Sequence, residues 1–404
     1  MIMAVAILMA VAIAAGLTLG KFARSDSWRA TVTPLASIIG SGFLICGPLL
    51  AKEFGSLALA AMAVLLTLSY AVGWVIRFNI VHVENLAETL SLNDPFAWGM
   101  RVAQGTLAIA YAVSVAYYLK LLAEFLMKPF DVPATSHTLV ANIFVTVIIL
   151  ALTALTFSGD IRKIEHAAHG SVSIKLGIIA GMLAALAIWW VAHPAGGGEP
   201  MPAAKLSFHS IPMLLGLLIT VQGFETSRYM GESYDQATRV RTMRWSQWIS
   251  SAIYLAFLAL LTPFLGRAQN AEGVAGILDI MELVAPFLGI FVLIGAVSSQ
   301  LSAAIADSIG AGGIAVEVSR KKLGVRGAFI FAAILSIAVV WLTDPFQVIA
   351  LSSRAFALFY AMQAGLAVWV SRRTQAGGVG RQIGFAVIGI ICVIAAAAGA
   401  PAEG

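Results

Sequence analysis

The feature that most constrains this chain is a succession of long apolar runs separated by short polar loops. A helix needs about 20 mainly apolar residues to cross a bilayer. Twelve stretches meet or approach that length: 2–20, 31–51, 54–76, 98–127, 138–158, 170–192, 208–231, 245–266, 278–310, 327–343, 345–370 and 383–399, of which 327–343 is the shortest. Charged residues make up 11% of the chain and apolar residues 60%, with a mean hydropathy of +0.92. A soluble domain carries about 25% charged residues because its surface faces water. The expectation is an all-α polytopic membrane protein of about twelve spans, with no loop long enough to hold a soluble domain.

The net charge of +5 and pI near 9.3 do not point to nucleic acid. Lys and Arg collect in the cytoplasmic loops of membrane proteins, and here they alternate. The first segment lacks a basic n-region, and Lys21, Arg24 and Arg29 follow it, so it reads as a retained helix with its N-terminus outside. The inner segments then hold 17 Lys and Arg and the outer segments 4, with Lys120, Lys175, Arg228 and Arg354 inside predicted spans. This places the chain in the cell's cytoplasmic membrane with both termini outside. The Gly/Pro-rich stretch 193–210 divides it into two halves.

Two spans are interrupted by glycine. One reads Ile39-Gly40-Ser41-Gly42-Phe43, and the other reads Val221-Gln222-Gly223-Phe224-Glu225-Thr226-Ser227-Arg228. Glycine inside a helix costs about 1 kcal/mol relative to alanine, and irregular backbone at membrane depth survives only where protein or a cavity surrounds it. The breaks lie about 180 residues apart, each opening a block of five spans. Five is odd, so the second block inserts upside down relative to the first. Such inverted repeats carry substrate and ion sites at their interrupted helices. Close helix packing through small residues is the competing reading of Gly40-Ser41-Gly42.

At these residues the sequence resembles the amino acid–polyamine–organocation (APC) superfamily of transporters. Ile39-Gly40-Ser41-Gly42-Phe43 looks like its first core helix, and Gly223-Phe224-Glu225-Thr226-Ser227 with Gly231-Glu232 looks like its sixth. The loop 234–243 lacks the family's usual prolines, and the helix at 2–20 is extra to the core, so an atypical branch is implied. The resemblance implies a LeuT-type 5+5 inverted repeat with discontinuous core helices 1 and 6. On that plan 1–30 is an extra N-terminal helix and inner linker, 31–192 the first repeat, 193–210 the outer linker, 211–370 the second repeat and 371–404 a peripheral C-terminal helix. It also implies a substrate site at Ile39, Gly40, Ser41, Gly42 and Phe43 with Gln222, Gly223, Phe224 and Glu225.

Charged groups inside a bilayer cost roughly 2.5–3.5 kcal/mol on insertion scales and mark function by default. Glu225 is expected to bind a cationic group or carry a proton, unless it pairs with Arg228. By the resemblance, Lys175 stands where sodium binds in other members, which implies proton-coupled or sodium-independent transport; a lysine snorkelling to the inner interface is the alternative. Against it stand Ser298, Ser299 and Ser302, hydroxyls suited to Na⁺ or to small-residue packing. Tyr117 and Tyr118 are candidate aromatic gates over the substrate. Asp307 is expected to pair with an inner-gate cation, and Arg354 to be buried in an outer-gate ion pair. Lys120 and Glu124, spaced i,i+4, are expected to pair with each other.

Other chemistry is not indicated. Cys46 and Cys392 lie in apolar stretches, His166 and His169 lack a carboxylate cluster, and Gly310-Ala311-Gly312-Gly313 lacks the Lys-Ser/Thr of a phosphate loop. No nucleophile–base pair suggests an enzyme, and no cofactor is expected beyond H⁺ or Na⁺ as coupling ion. The expected partners are a small-molecule solute and the lipid bilayer, with the chain a monomer or homodimer. The leading expectation is a secondary active transporter of an amino acid or related solute. The alternatives are an inorganic cation transporter or channel, a sodium-coupled symporter, and a non-transporting membrane sensor.

Overall fold

The computed structural model describes residues 1–402 apart from 41, 88–93, 131, 158–160, 194–200, 205 and 272; the side chains of 22, 87, 134, 156–157 and 161–171 are also outside the description. Among the described residues every regular element is helical. The helices are α1 Ile2–Leu19, α2 Asp26–Ile38, α3 Gly42–Phe54, α4 Ala58–Ala87, α5 Pro95–Met127, α6 Ala134–Phe157, α7 Ile161–Ala192 and α8 Ser210–Gly216. After two short 3₁₀ turns, Leu218–Val221 and Phe224–Tyr229, follow α9 Gln236–Leu261, α10 Leu265–Gln269 and α11 Ile277–Val284. The chain ends with α12 Leu288–Val318, α13 Val325–Leu342, α14 Pro345–Thr374 and α15 Gly378–Ala398. Nine helical stretches of the described residues are long and apolar enough to cross a membrane.

The ends of these helices follow from local chemistry. Ser25 caps α2, and Asp94 and Asp344 cap α5 and α14, each of which starts with proline. Proline suits the first helical position because its missing N–H would have no partner there. The run expected as one span over 278–310 is divided. Ala285 is extended, Pro286 follows, and Phe287 adopts φ +65°, so α11 stops and α12 starts afresh and runs eight residues past the expected end. Hydropathy does not register this turn, because Ala285 and Phe287 are as apolar as a span.

Salt bridges and hydrogen bonds tie the helix ends into two opposite sets. Arg239 at the start of α9 meets Glu84 at the end of α4 (2.7 and 3.1 Å), and Arg241 donates to Ser27 at the start of α2 at 2.9 Å. At the other end Lys128, just past α5, meets Asp279 of α11 at 2.7 Å. The buried core runs through α3, α5 and α14, while one side of α6, α13 and α15 stays apolar and exposed, as a lipid-facing surface does. α1 packs along α7, where a methyl group on Gly177 or Gly181 would lie 2.4 Å from the carbonyls of Ala10 and Ala6.

Candidate functional site

The two glycine-bearing segments are broken where the residues suggest, and the breaks touch. α2 stops at Ile38 and α3 begins at Gly42. Opposite them α8 lasts seven residues, Gln222 is extended, and Gly223 takes φ +117°, a left-handed conformation that an L side chain rarely adopts. The contact is backbone to backbone. A Cβ on Gly42 would lie 2.7 Å from Thr220 Cα, and one on Gly223 would lie 2.7 Å from the Ile38 nitrogen. Ser41 lies outside the described residues.

Broken helices free carbonyls that need donors. Tyr254 of α9 supplies one hydroxyl to the two breaks, in hydrogen-bonding contact with the Ile38 carbonyl at 3.1 Å and with the Thr220 carbonyl. Ser69 of α4 donates to the Val221 carbonyl at 2.9 Å, and Ser353 of α14 donates to the Gly216 carbonyl at 2.7 Å. Gln222 donates to the Tyr118 hydroxyl at 3.3 Å, and Tyr118 packs against Gly40. Phe43 packs on Phe257 and Tyr254, and Phe224 stacks on Tyr360 of α14 at 5.5 Å between ring centroids. Tyr254, Ser69 and Tyr360 carry no sequence signal of this role: in a span they read as core or lipid-facing residues.

Glu225 is fully buried and does not meet Arg228. Its Oε2 accepts from the Gly223 N–H and the Tyr360 hydroxyl, both at 2.9 Å, while Oε1 has no hydrogen-bond partner among the described residues. Arg228 turns away because other acceptors surround it: it donates to Gln363 of α14, lies 3.8 Å from Glu84, and its carbonyl accepts from Arg239 at 2.7 Å. Gln363 also accepts from Asn79 of α4 at 2.8 Å. The second break is thus latched to α4, α9 and α14 on its Arg228 side.

Lys175 does not snorkel. It is 1% exposed, and its ammonium donates to the Ala36 carbonyl at 2.7 Å and to Ser299 Oγ at 3.4 Å. Ser299 in turn donates to the Ile39 carbonyl at 3.4 Å. The lysine therefore sits in a cluster of oxygens from the first break and α12. Of the three serines, Ser299 alone reaches it; Ser302 bonds the Ser299 carbonyl at 3.0 Å, and Ser298 lies a helical step to the side. Gln300, next to them, is fully buried, and neither end of its amide is bonded among the described residues.

A cavity of about 390 Å³ opens between the last turns of α2 and the second half of α12. Thr33, Ser37, Tyr111, Thr226, Tyr229, Ser302, Asp307 and Glu317 supply its polar lining. The expected substrate residues Gly40, Gly42, Phe43, Gln222, Phe224, Glu225 and Tyr117 do not line it; they are packed shut beyond its inner end. Gly40, Phe43, Lys175 and Ser299 border a separate gap of about 20 Å³.

Three expected pairings are corrected by the geometry. Asp307 takes Ser114 of α5 as partner and, among the described residues, no cation. Arg354 is exposed rather than buried and forms no ion pair with a described residue; it donates to the Ala396 and Ala397 carbonyls at the end of α15, which lack intrahelical donors. Lys120 donates to the Thr343 carbonyl, and Glu124 lies 3.9 Å from His137. In each case a backbone or neighbouring-helix partner, invisible to sequence spacing, stands closer than the expected one.

Comparison with known proteins accords with this architecture. The chain is 35% identical over 352 residues, 86% of its length and 85% of the relative's, to an uncharacterized protein of Aquifex aeolicus (strain VF5). Its fold is similar to that of a mutant manganese transporter of Eremococcus coleocola, with a TM-score of 0.59 and 12% identity over 92% of this chain and 87% of that one. A family model described as APC superfamily transporter matches residues 20–399. With nearly the whole length matched, the chain belongs to the APC superfamily of transporters.

Proposed function

We propose that this transporter is a proton-coupled, sodium-independent carrier of an amino acid or related small organic solute, and not an enzyme. It works by alternating access in a LeuT-type 5+5 fold. In this reading α2 with α3 forms core helix 1, and α8 with the two 3₁₀ turns forms core helix 6. With each broken helix taken as one span, the chain has twelve, and α1 and α15 flank the core. Both termini lie outside the cytoplasmic membrane, on the argument from charge alternation.

The observation that carries the coupling is the Lys175 ammonium among the oxygens of Ala36 and Ser299. A carbonyl and a hydroxyl from two different helices form the kind of oxygen cage a hard monovalent cation takes. A tethered ammonium supplies the same charge in the same place and can lose it as a proton. The free Oε1 of Glu225 supports a cationic group on the cargo, and the N–H groups beside the breaks support its carboxylate.

Uptake into proteoliposomes tests this. Transport is expected to follow an inward acid gradient and to be indifferent to replacement of Na⁺ by choline. Lys175→Ala removes charge-assisted bonds of about 1.5–3 kcal/mol, roughly a ten- to hundredfold effect on the state they hold, and is expected to abolish acid-driven uptake. Wild-type uptake that requires Na⁺ would sink the proposal. The manganese of the structural relative does not carry over: at 12% identity the likeness shows the fold alone, and the described residues hold no group of three or more His, Cys, Asp or Glu able to hold a metal ion.

A further inference from the structure

Asp307 sits on α12 eleven residues before its end at Val318, so about 16 Å along the helix axis at a rise of 1.5 Å per residue. It is 2% exposed, yet it borders the 390 Å³ cavity. Its side-chain partner is Ser114 Oγ of α5. That hydroxyl also lies 2.9 Å from the Tyr111 carbonyl one turn back on its own helix. A serine hydroxyl has one proton and two acceptor lone pairs. A carbonyl only accepts, so Ser114 makes a full bond to each neighbour only when Asp307 is the donor; with Asp307 ionised, the one hydroxyl proton is shared between the carboxylate and the Tyr111 carbonyl.

The surroundings select that arrangement. Among the described residues, Tyr111 and Tyr118 of α5, Glu225 and Tyr229 beside the second break, and Glu317 on α12 itself are the titratable groups near Asp307. α2 faces the cavity with Thr33 and Ser37, and α7 with Val172; Tyr360 of α14 is bound to Glu225. Among the described residues no Lys or Arg borders the cavity, and Lys175 is engaged at Ser299, two turns before Asp307 on α12. An ionised Asp307 would be a buried charge with one neutral donor and a carboxyl group nearby, which is costly. As an acid it donates to Ser114, Ser114 donates to the Tyr111 carbonyl, and each polar hydrogen in the chain has an acceptor.

We propose that Asp307 is a proton-carrying site separate from Lys175, loaded in this conformation and discharging into the cavity between Tyr111, Tyr229 and Glu317. On discharge the Asp307 O–H bond breaks, the proton passes to water in the cavity, and the Ser114 hydroxyl swings its hydrogen from the Tyr111 carbonyl to the new carboxylate. No other co-reactant is needed. The coupling of this proton to cargo rests on the transporter reading above; the loaded state itself does not.

Infrared difference spectroscopy of the purified protein across a pH step tests the loaded state directly. A protonated-carboxyl C=O band is expected in the wild type that persists in Glu225→Gln and is lost in Asp307→Asn, whose amide still donates to Ser114 and mimics the loaded acid. Ser114→Ala is expected to move the same band to higher frequency, as for a carboxyl without a partner, and decides the matter if Asp307→Asn does not fold. In proteoliposomes Asp307→Asn is expected to keep cargo counterflow and lose proton-driven accumulation. Carboxyl bands that are identical in wild type, Asp307→Asn and Ser114→Ala, or accumulation intact in Asp307→Asn, overturn the proposal. Absence of any counterflow in the wild type would instead defeat the transporter reading, with the infrared band still deciding the state of Asp307.

Discussion

Gly42 and Gly223 hold the two broken helices in contact, and nothing larger fits at either. A methyl group on Gly42 meets the Thr220 backbone, which has no flexible side-chain end to yield. At Gly223 it meets the Ile38 nitrogen and also requires a φ of +117°. Overpacking of this kind costs about 1–3 kcal/mol, so Gly42→Ala and Gly223→Ala are each expected to lower the melting temperature of the purified protein and to abolish uptake. Gly365, inside α14 with nothing within 4 Å, supplies the contrast. There alanine is expected to leave uptake intact and to stabilise by up to about 1 kcal/mol, as in any open helical site. A Gly223→Ala protein that transports and melts like wild type would show that the two breaks do not need this contact. Both glycines are legible in the sequence because a paired helix interruption is a pattern of residue type. What each glycine touches is not, because Thr220 and Ile38 reach these positions through the fold.

At the scale of elements, legibility depends on whether hydropathy changes at a boundary. α6, α13 and α15 lie close to their expected ranges, since polar loops bracket each of them, whereas α4 runs eleven residues past its expected end at 76. The start of α12 does not, because its turn is apolar, and Arg354 is misplaced because a cation that reaches the end of a neighbouring helix looks the same in sequence as one in the core. The extra helix α1 reads as a span but its docking does not, although Gly177 and Gly181 are spaced four apart on α7. That spacing lets the α1 backbone approach closely, as small-xxx-small packing does. Gly181→Leu is expected to displace α1, since its Cβ alone would sit 2.4 Å from the Ala6 carbonyl. Lys175 lies on the same helix, so the displacement should also alter the acid dependence of uptake. Limited proteolysis near residues 20–25 reads the first effect, and uptake against pH reads the second. Unchanged cleavage in Gly181→Leu would mean that α1 is held elsewhere.

At the scale of the whole molecule, one end is shut and the other open. On the shut side the segment after α15 folds over α8: Ala400 donates to the Pro212 carbonyl at 2.9 Å, and its own carbonyl lies 1.9 Å from where a Cβ on Gly216 would stand. Arg354 clamps the last carbonyls of α15 against the same place. On the open side the cavity reaches Ser37, Thr226 and Ser302. In the proposed alternating-access cycle opening one end closes the other, and a substitution shifts that balance only through its differential effect on the two states. Gly216→Val penalises the shut end alone, by about 1–3 kcal/mol for overpacking, which amounts to roughly a five- to hundredfold change in population. Cys46 and Cys392 are both fully buried, so a cysteine placed at Ser302 reports with little background. Ser302→Cys is expected to react with a membrane-impermeant maleimide in inside-out vesicles and not in right-side-out ones. Adding Gly216→Val should slow that reaction, because the cavity closes as the other end opens. Labelling of Ser302→Cys from the outer face would reverse the assigned orientation, and labelling unaffected by Gly216→Val would show that the two ends move independently.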